Sequence, residues 1–507
     1  MPTIDTANPL LQKLKANLQE ISDLQATASL LHWDQATYMP SGGATARGRQ
    51  LAILKQIAHE KFINPEIGEL LYKLREYEAS LPDESDTASL LRITRRDYEK
   101  ATNVPAKFMA EFSRHSAQSY NTWIKAKAEN DFAAVVPYLE KTLEMSQEYA
   151  QFFPGYEHIA DPLIDAADYG VKVTQLRQLF SQLREKLVPI VEAICSQQNV
   201  EDSFLHQHFP RQQQLDFTLK ILRQMGYDLE RGRQDQTHHP FMTKFSLGDV
   251  RITTRVYEDS LGQALFTTIH EMGHALYEQG INLSYEATPL GKGTSSGLHE
   301  SQSRLWENLV GRSRNFWQFL YPQLQEFFPT QLGYVSLENF YQGINKVAPT
   351  LIRTDADEVT YNLHVMIRFD LELQLLEGRL SVKELPEAWN QRYHDDLGII
   401  PNSDSEGVLQ DVHWYTDMIG GMFQGYTLGN LISAQIFASA LKKHPEITQQ
   451  IAGGNFSTLH HWLKEQIYQH GRKYNAPELI ERATGSPLSI DPFISYIKNK
   501  YGEIYKL

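Results

Sequence analysis

The chain has 507 residues, 41% of them apolar, and a formal charge of −14 with no basic run. That size supports a large buried core, and the acidic balance disfavours binding to a nucleic-acid backbone. A single cysteine, Cys195, excludes an intramolecular disulfide, which fits a reducing cytoplasm; in the apolar run 188–194 it reads as a buried, inert thiol.

Length alone allows roughly three domains of about 150 residues each. No Pro-, Gly- or Ser-rich linker divides the sequence, however, so one continuous, mostly α body over 1–507 is expected, with a helical part over about 1–235 and a second part over about 236–507. Residues 1–5 lack the basic region and apolar core of a secretory leader. The most apolar long segment, 418–441, is interrupted by Gln424, Asn430 and Gln435, so a buried helix is expected there and not a membrane span.

In chain order, Leu10, Leu11, Leu14, Leu18, Ile21, Leu24, Ala28 and Leu31 recur at helical spacing and predict a helix over about 9–35. A break at Pro40-Ser41-Gly42-Gly43 follows. Further helices are expected over about 44–61, 65–81, 87–102, 105–130 and 132–153, with Pro, Asn, Asp and Ser at their boundaries. Residues 165–170 read as a turn before a helix pair over about 173–225. No fixed period recurs, which argues against a solenoid.

The pattern then changes. Phe241, Thr243 and Phe245 alternate with Met242, Lys244 and Ser246; Gly248-Asp249 can turn; Val250, Ile252, Thr254 and Val256 alternate with Arg251, Thr253, Arg255 and Tyr257. That is a β-hairpin. Its edge could pair with an extended peptide, or it could simply brace the next helix.

That next segment carries His270-Glu271-Met272-Gly273-His274. On a helix, positions i and i+4 share a face, so His270 and His274 can reach one metal ion while Glu271 takes a proton from water there. Ser260 with Gln263 has capping-box spacing, and Gly280 stands where a C-terminal cap is expected. A third ligand is needed. Glu300 is preferred because two histidines and a glutamate form a known catalytic zinc set; His299 competes, and a plain Glu300–Arg304 pair at i+4 is the structural alternative. Ser295 or Ser296 can cap a helix running toward Gly311, placing Glu300 in its first turn.

Helices are expected over about 313–328 and 337–345. Another should run from about 351 to 376, with Thr354 and Asp357 at cap spacing. Arg353 before it could receive a substrate carboxylate through its two-pronged guanidinium, unless Asp355, Asp357 or another acid already holds it. His413 in Gly407-Val408-Leu409-Gln410-Asp411-Val412-His413-Trp414 could donate to an oxyanion or be held by Asp411. Tyr426 is a phenol donor or a core residue, and helical spacing continues to about Tyr501.

Together, His239-Pro240-Phe241, Asp249-x-Arg251-x-Thr253, His270-Glu271-x-x-His274, His299-Glu300-Ser301-Gln302, Ile352-Arg353-x-x-Ala356-Asp357 and Gly407-x-x-Gln410-Asp411-x-His413-Trp414 resemble the carboxypeptidase Taq family of metallocarboxypeptidases. Trp33-Asp34-Gln35 and Met39-Pro40-x-Gly42-Gly43 extend the resemblance over nearly the whole chain. It implies a mostly α fold with a deep groove covered by the N-terminal part, a small hairpin beside the metal helix, and a cytoplasmic homodimer. It also implies Zn2+ (Co2+ as a substitute) on His270, His274 and Glu300, Glu271 as general base, and Arg353 as binder of the terminal carboxylate. His239, Asp249, Arg251 and Thr253 join the expected substrate-binding residues, and His413 and Tyr426 the catalytic ones. The expected activity is release of single C-terminal residues from peptides with a free carboxylate, with broad specificity and no nucleic-acid or membrane partner. Phe423-Gln424-Gly425-Tyr426 departs from the family's frequent Phe-Pro-Thr-Tyr. Two rivals share the motifs: an oligopeptidase cutting internally, and a non-catalytic peptide-binding protein with structural zinc, against which Glu271 argues.

Overall fold

Asn8 starts the first helix. Its Oδ1 accepts from the N–H of Leu10 (3.0 Å) and Leu11 (3.3 Å), Pro9 supplies a helix-ready φ, and the helix runs Pro9–Thr37. The computed structural model describes residues 8–197 and 200–507, so residues 1–5, expected to lack a leader, lie outside it. Leu11, Leu14, Leu18, Ile21, Ala28 and Trp33 are buried, each large aliphatic contributing about 1.5–3 kcal/mol. Leu10, counted on that face in the sequence, is exposed. After a short turn at Ser41–Gly43 the chain returns antiparallel as Ala44–Phe62 and packs along the first helix.

The expected helix over 65–81 is two pieces, Pro65–Lys73 and Arg75–Ala79, joined at buried Leu74. Asp86–Asn103, Ala106–Glu129 and Val136–Gln151 follow close to expectation. Residues 165–170 are only partly a turn. Asp161 and Pro162 start a short helix, Asp161–Ala167, with the acid and proline of a helix first turn, and the chain turns from Asp168 onward. The helix pair is Val173–Cys195 and Arg211–Gln224. Cys195 ends its helix exposed and not buried as the apolar run suggests, because that run's inward face ends at Val191 and Ile194.

The hairpin forms as β2 (Met242–Ser246) and β3 (Asp249–Thr254), antiparallel with Met242 opposite Ile252 and Thr243 opposite Arg251. A third strand, β1 (Gln234–Gln236), pairs parallel to β3, giving the order β1-β3-β2. Gln-Asp-Gln carries no apolar alternation, so only pairing with β3 makes it a strand. β3 and β2 lie against the metal helix, Leu261–Gly280, and the first helix covers β2 from the other side. Ser260 is that helix's N-cap, but its side chain makes no capping bond, which removes the expected capping box. Gly280 is the helix's last residue and not a left-handed cap: a Cβ there would lie 2.6 Å from Tyr468 Cβ, so close packing requires it.

The second half surrounds the metal helix with Ser296–Arg304, its π-helical continuation Leu305–Val310, Arg314–Phe327, Leu337–Gly343, Tyr361–Leu376 and Gln424–Lys443. Gln424–Lys443 is the buried helix expected over 418–441, and helices continue to Asp491–Tyr505. The molecule is mostly α with one small sheet beside the metal helix. Among the described residues, no helix is long and apolar enough to cross a membrane.

Candidate active site

Two glycines bring the third ligand to the histidines. A Cβ on Gly273, between His270 and His274, would lie 2.6 Å from Gln302 O and Ser303 Cα; one on Gly429 would lie 2.5 Å from Glu300 Cγ. With neither present, helix Ser296–Arg304 is pressed between Leu261–Gly280 and Gln424–Lys443. Glu300 Oε2 then lies 3.7 Å from His270 Nε2 and 3.4 Å from His274 Nε2, and the three ligand atoms lie within 4.8 Å of one another. Two imidazole nitrogens and a carboxylate at this spacing suit one divalent cation, with ligand distances of about 2.0–2.2 Å and a position left open.

Ser295 caps the Glu300 helix, its Oγ accepting from Leu298 N at 3.1 Å. Glu300 lies beyond the first turn, where it was expected, so Arg304 and not the helix dipole balances its charge: Arg304 Nε donates to Oε1 at 2.7 Å. The two sequence alternatives therefore coexist. One oxygen meets Arg304, and the other faces the histidines. Burial opposes the Glu300 charge, but Arg304, His270 and His274 hold the carboxyl well below its usual range.

Each histidine is held from behind. His270 Nδ1 meets Glu307 Oε2 at 2.9 Å, and Glu307, in the π-helical segment, is approached by Arg304 and Arg312 at 3.4 Å. His274 Nδ1 meets His299 Nδ1 at 2.6 Å, and His299 Nε2 meets Glu278 Oε1 at 3.0 Å. His299 thus stands behind His274, outside the triad. Glu278, i+4 from His274, is 4% exposed and also pairs with Lys244 of β2. Both Nε2 atoms are left facing Glu300. Glu271 is 7% exposed, and burial, with Glu300 and Glu307 adding to it, pushes its carboxyl up to about 7, while His270 and the Met242 N–H oppose the shift. Burial, with His299 and His270, lowers His274 to about 4.

Arg353 sits in a separate turn, Arg353–Asp355, ahead of helix Tyr361–Leu376. Asp357 caps that helix, its Oδ1 accepting from Val359 N (2.9 Å) and Thr360 N (3.0 Å), so Thr354 is not the cap and Arg353 is not at the helix's positive end. The acid on Arg353 is Asp411, at 2.8 Å, and Arg353 Nη1 donates to Tyr361 OH at 2.9 Å. Arg368 takes the other Asp411 oxygen and donates to Gln410 Oε1 at 2.7 Å. The Arg304 guanidinium lies 4.7 Å from the centre of the Tyr361 ring, so contacts run unbroken from Glu300 through Arg304 and Tyr361 to Arg353. A cavity of about 540 Å³ lies along this line, its walls including Gln263, Thr267, Arg304, Glu307, Arg353 and Tyr361. The triad is not in its walls and is reached past Arg304 and Glu307.

His413 Nε2 lies 3.5 Å from Tyr426 OH, while its buried Nδ1 is 3.8 Å from Asp411 Oδ1 and has no hydrogen-bond partner among the described residues. The Tyr426 ring is 5.2 Å from the Arg353 guanidinium. These three residues therefore meet at one place. Asp249 and Arg251 pair at 2.8 Å with the guanidinium 4.5 Å from the Trp33 ring centre, and Thr253 Oγ1 accepts from Phe241 N at 2.8 Å. His239 is exposed in the loop before β2. Gln424, at the departure from Phe-Pro-Thr-Tyr, donates to Asp168 Oδ2 at 3.1 Å, and Asp168 Oδ1 accepts from Gly297 N at 2.7 Å. A side-chain amide there ties the start of one site helix to the start of the other.

Sequence reasoning passed over Glu307, Lys244, Tyr361 and Arg368. Glu307 had a signal, lying seven residues beyond Glu300 and so on the same helical face. Lys244 on an alternating strand had none.

A helical body with two histidines one turn apart, a buried glutamate between them and a distal carboxylate has the donor set of a metallopeptidase. The carboxypeptidase Taq (M32) metallopeptidase family model matches residues 13–501, and the chain belongs to that family. Thermostable carboxypeptidase 1 of Thermus thermophilus is 39% identical over 99% of this chain and 100% of its own. Carboxypeptidase 1 of Bacillus subtilis is 37% identical over 97% of each. The crystal structure of the M32 carboxypeptidase from Deinococcus radiodurans superposes with a TM-score of 0.96 at 46% identity, covering 99% of this chain and 100% of that one. The chain is accordingly a metal-dependent carboxypeptidase, a peptide hydrolase using a divalent metal.

Proposed function

We propose that this enzyme is a zinc carboxypeptidase that removes single C-terminal residues with broad side-chain tolerance, with Glu271 as general base. The observation that carries this is the convergence of His270, His274 and Glu300 within 4.8 Å beside a buried Glu271. Zinc on that triad supplies a Lewis acid that lowers the pKa of water to about 7 and polarises the scissile carbonyl. Glu271 accepts the proton of the attacking water and returns it to the leaving amine. A carboxyl poised at about 7 can do both near neutral pH.

Arg353 is proposed to bind the substrate's terminal carboxylate. Asp411 is shared by two guanidiniums, Arg353 and Arg368, so one positive charge is left uncompensated. That charge favours a carboxylate arriving at the Arg353 end and makes the exopeptidase reading stronger than internal cutting. Tyr426 and His413, adjoining Arg353, are proposed as donors to the developing oxyanion. β2 is a sheet edge next to Glu271, offering main-chain groups to an extended peptide, with His239 at its entrance and the Asp249–Arg251–Thr253 set bracing it. Walls of both charge signs suit varied side chains. One domain over 1–507 acting as a cytoplasmic homodimer completes the reading, the dimer to be checked by sedimentation.

The test compares a peptide library with its C-terminally amidated form, with and without chelator, by mass spectrometry. Stepwise loss of single residues from free peptides only, abolished by chelator, is expected. Internal fragments from both forms would instead identify an oligopeptidase.

A further inference from the structure

We infer that His299, Glu278 and Lys244 form a directional hydrogen-bond relay that sets the metal-binding tautomer of His274 and anchors it to strand β2. The inference rests on the proposed metal role of the triad.

The direction follows from what each atom can do. Glu278 Oε1 receives Gly293 N–H at 2.9 Å and His299 Nε2 at 3.0 Å, and Oε2 receives the Lys244 ammonium. A carboxylate so surrounded only accepts, so the proton of a neutral His299 is on Nε2. Its Nδ1 is then a bare lone pair. His274 Nδ1, 2.6 Å away, must supply the proton between them, which leaves His274 Nε2 unprotonated and facing Glu300. Reversing any link would put a proton where a cation must be bound.

Two further features fit this role. A Cβ on Gly293 would lie 2.6 Å from His299 Cδ2 and 3.2 Å from Glu278 Oε1, so the relay occupies space that only glycine leaves free. Lys244 also donates to Gly291 O at 2.5 Å, locking the far end of the relay to that same loop. Two residues earlier on β2, the Met242 N–H is bonded to Glu271. One strand thus holds both the base and the support of a metal ligand. His270 has a shorter arrangement, a direct Glu307 carboxylate, so the two ligands are oriented by unlike devices.

The test measures zinc affinity by chelator competition, with the absorption spectrum of the cobalt-loaded protein, for wild type, His299→Phe, His299→Gln and Lys244→Met. Phe fills the ring's space without accepting a hydrogen bond; Gln can accept from His274 through its carbonyl and donate to Glu278 through its amide. His299→Phe is expected to bind zinc about 10- to 100-fold more weakly with a shifted cobalt spectrum, and His299→Gln to stay within about threefold of wild type. Lys244→Met, folded whether or not the ring variants are, is expected to lose about tenfold or less but measurably. Wild-type affinity in Lys244→Met, or in a folded His299→Phe, would overturn the relay. So would equal weakening by Phe and Gln, which would indicate packing. If wild type itself binds no more zinc than His270→Ala, the metal reading fails first, and the relay with it.

Discussion

Replacing Gly429 by alanine tests whether close helix contact sets the Glu300 position. The new Cβ would lie 2.5 Å from Glu300 Cγ, 2.8 Å from its Cβ and 3.2 Å from its carbonyl carbon, so swinging the side chain alone cannot clear it. Ordinary contact begins near 3.4 Å, which requires roughly 0.9 Å of movement between the helices. Overpacking of this kind costs about 1–3 kcal/mol. Metal ligands tolerate only about ±0.2 Å, so zinc affinity should fall at least about tenfold, and activity at limiting zinc with it. Gly48→Ala is the control: nothing lies within 4 Å of its Cβ, and inside helix Ala44–Phe62 it should gain about 0.4–1 kcal/mol without touching metal binding. The assays are chelator competition and denaturant unfolding. If Gly429→Ala keeps wild-type zinc affinity while its stability falls, the packing is real but does not position Glu300.

Glu271→Gln should retain zinc and lose about 10²–10⁴-fold in kcat; an active variant, shown by peptide assay to be free of wild-type carry-over, would reassign the base. Arg353→Lys should raise KM for free peptides by about 10- to 100-fold through loss of forked pairing, with little change on amidated peptides; equal effects on both would remove the carboxylate role. Glu372 offers a pH test away from the metal. It is buried, accepts from Trp414 Nε1 at 2.8 Å, and burial pushes its carboxyl up to about 8. An acid with a raised folded pKa favours folding while protonated, and that stability is lost as pH rises from its ordinary 4.5 through about 8. Urea unfolding at pH 6 and pH 9 should therefore show Glu372→Gln gaining on wild type by several kcal/mol at the higher pH. Parallel pH profiles for the two proteins would refute it.

The helices and hairpin were legible because their signals are local: apolar spacing, Pro at first turns and the alternation of 241–256. What escaped depended on distant partners. β1 is a strand only because β3 lies beside it. Gly280 looks like a cap but is spacing for Tyr468, and Cys195 follows an apolar run whose buried face ends one residue too soon. In the site, the ligand types could be read from the His270–His274 repeat and the chemistry of Glu300. The division of Glu300 between Arg304 and the histidines could not, since one carboxylate has two oxygens and a sequence shows neither. Asp411 as the partner of Arg353 was hidden for the same reason: 58 residues separate them.

The π-helical turn at Leu305–Val310 makes this stretch unusually sensitive to length. Gly311 N reaches back five residues to Trp306 O at 2.8 Å, one more than an α-helix allows. A gene shortened by one codon here would relax to an ordinary helix and rotate everything downstream by about 100°. Arg312 would then swing away from Glu307. Insertions and deletions in the surface turns near Gly378 or Gly485, whose Cβ positions meet nothing, should be absorbed far more easily.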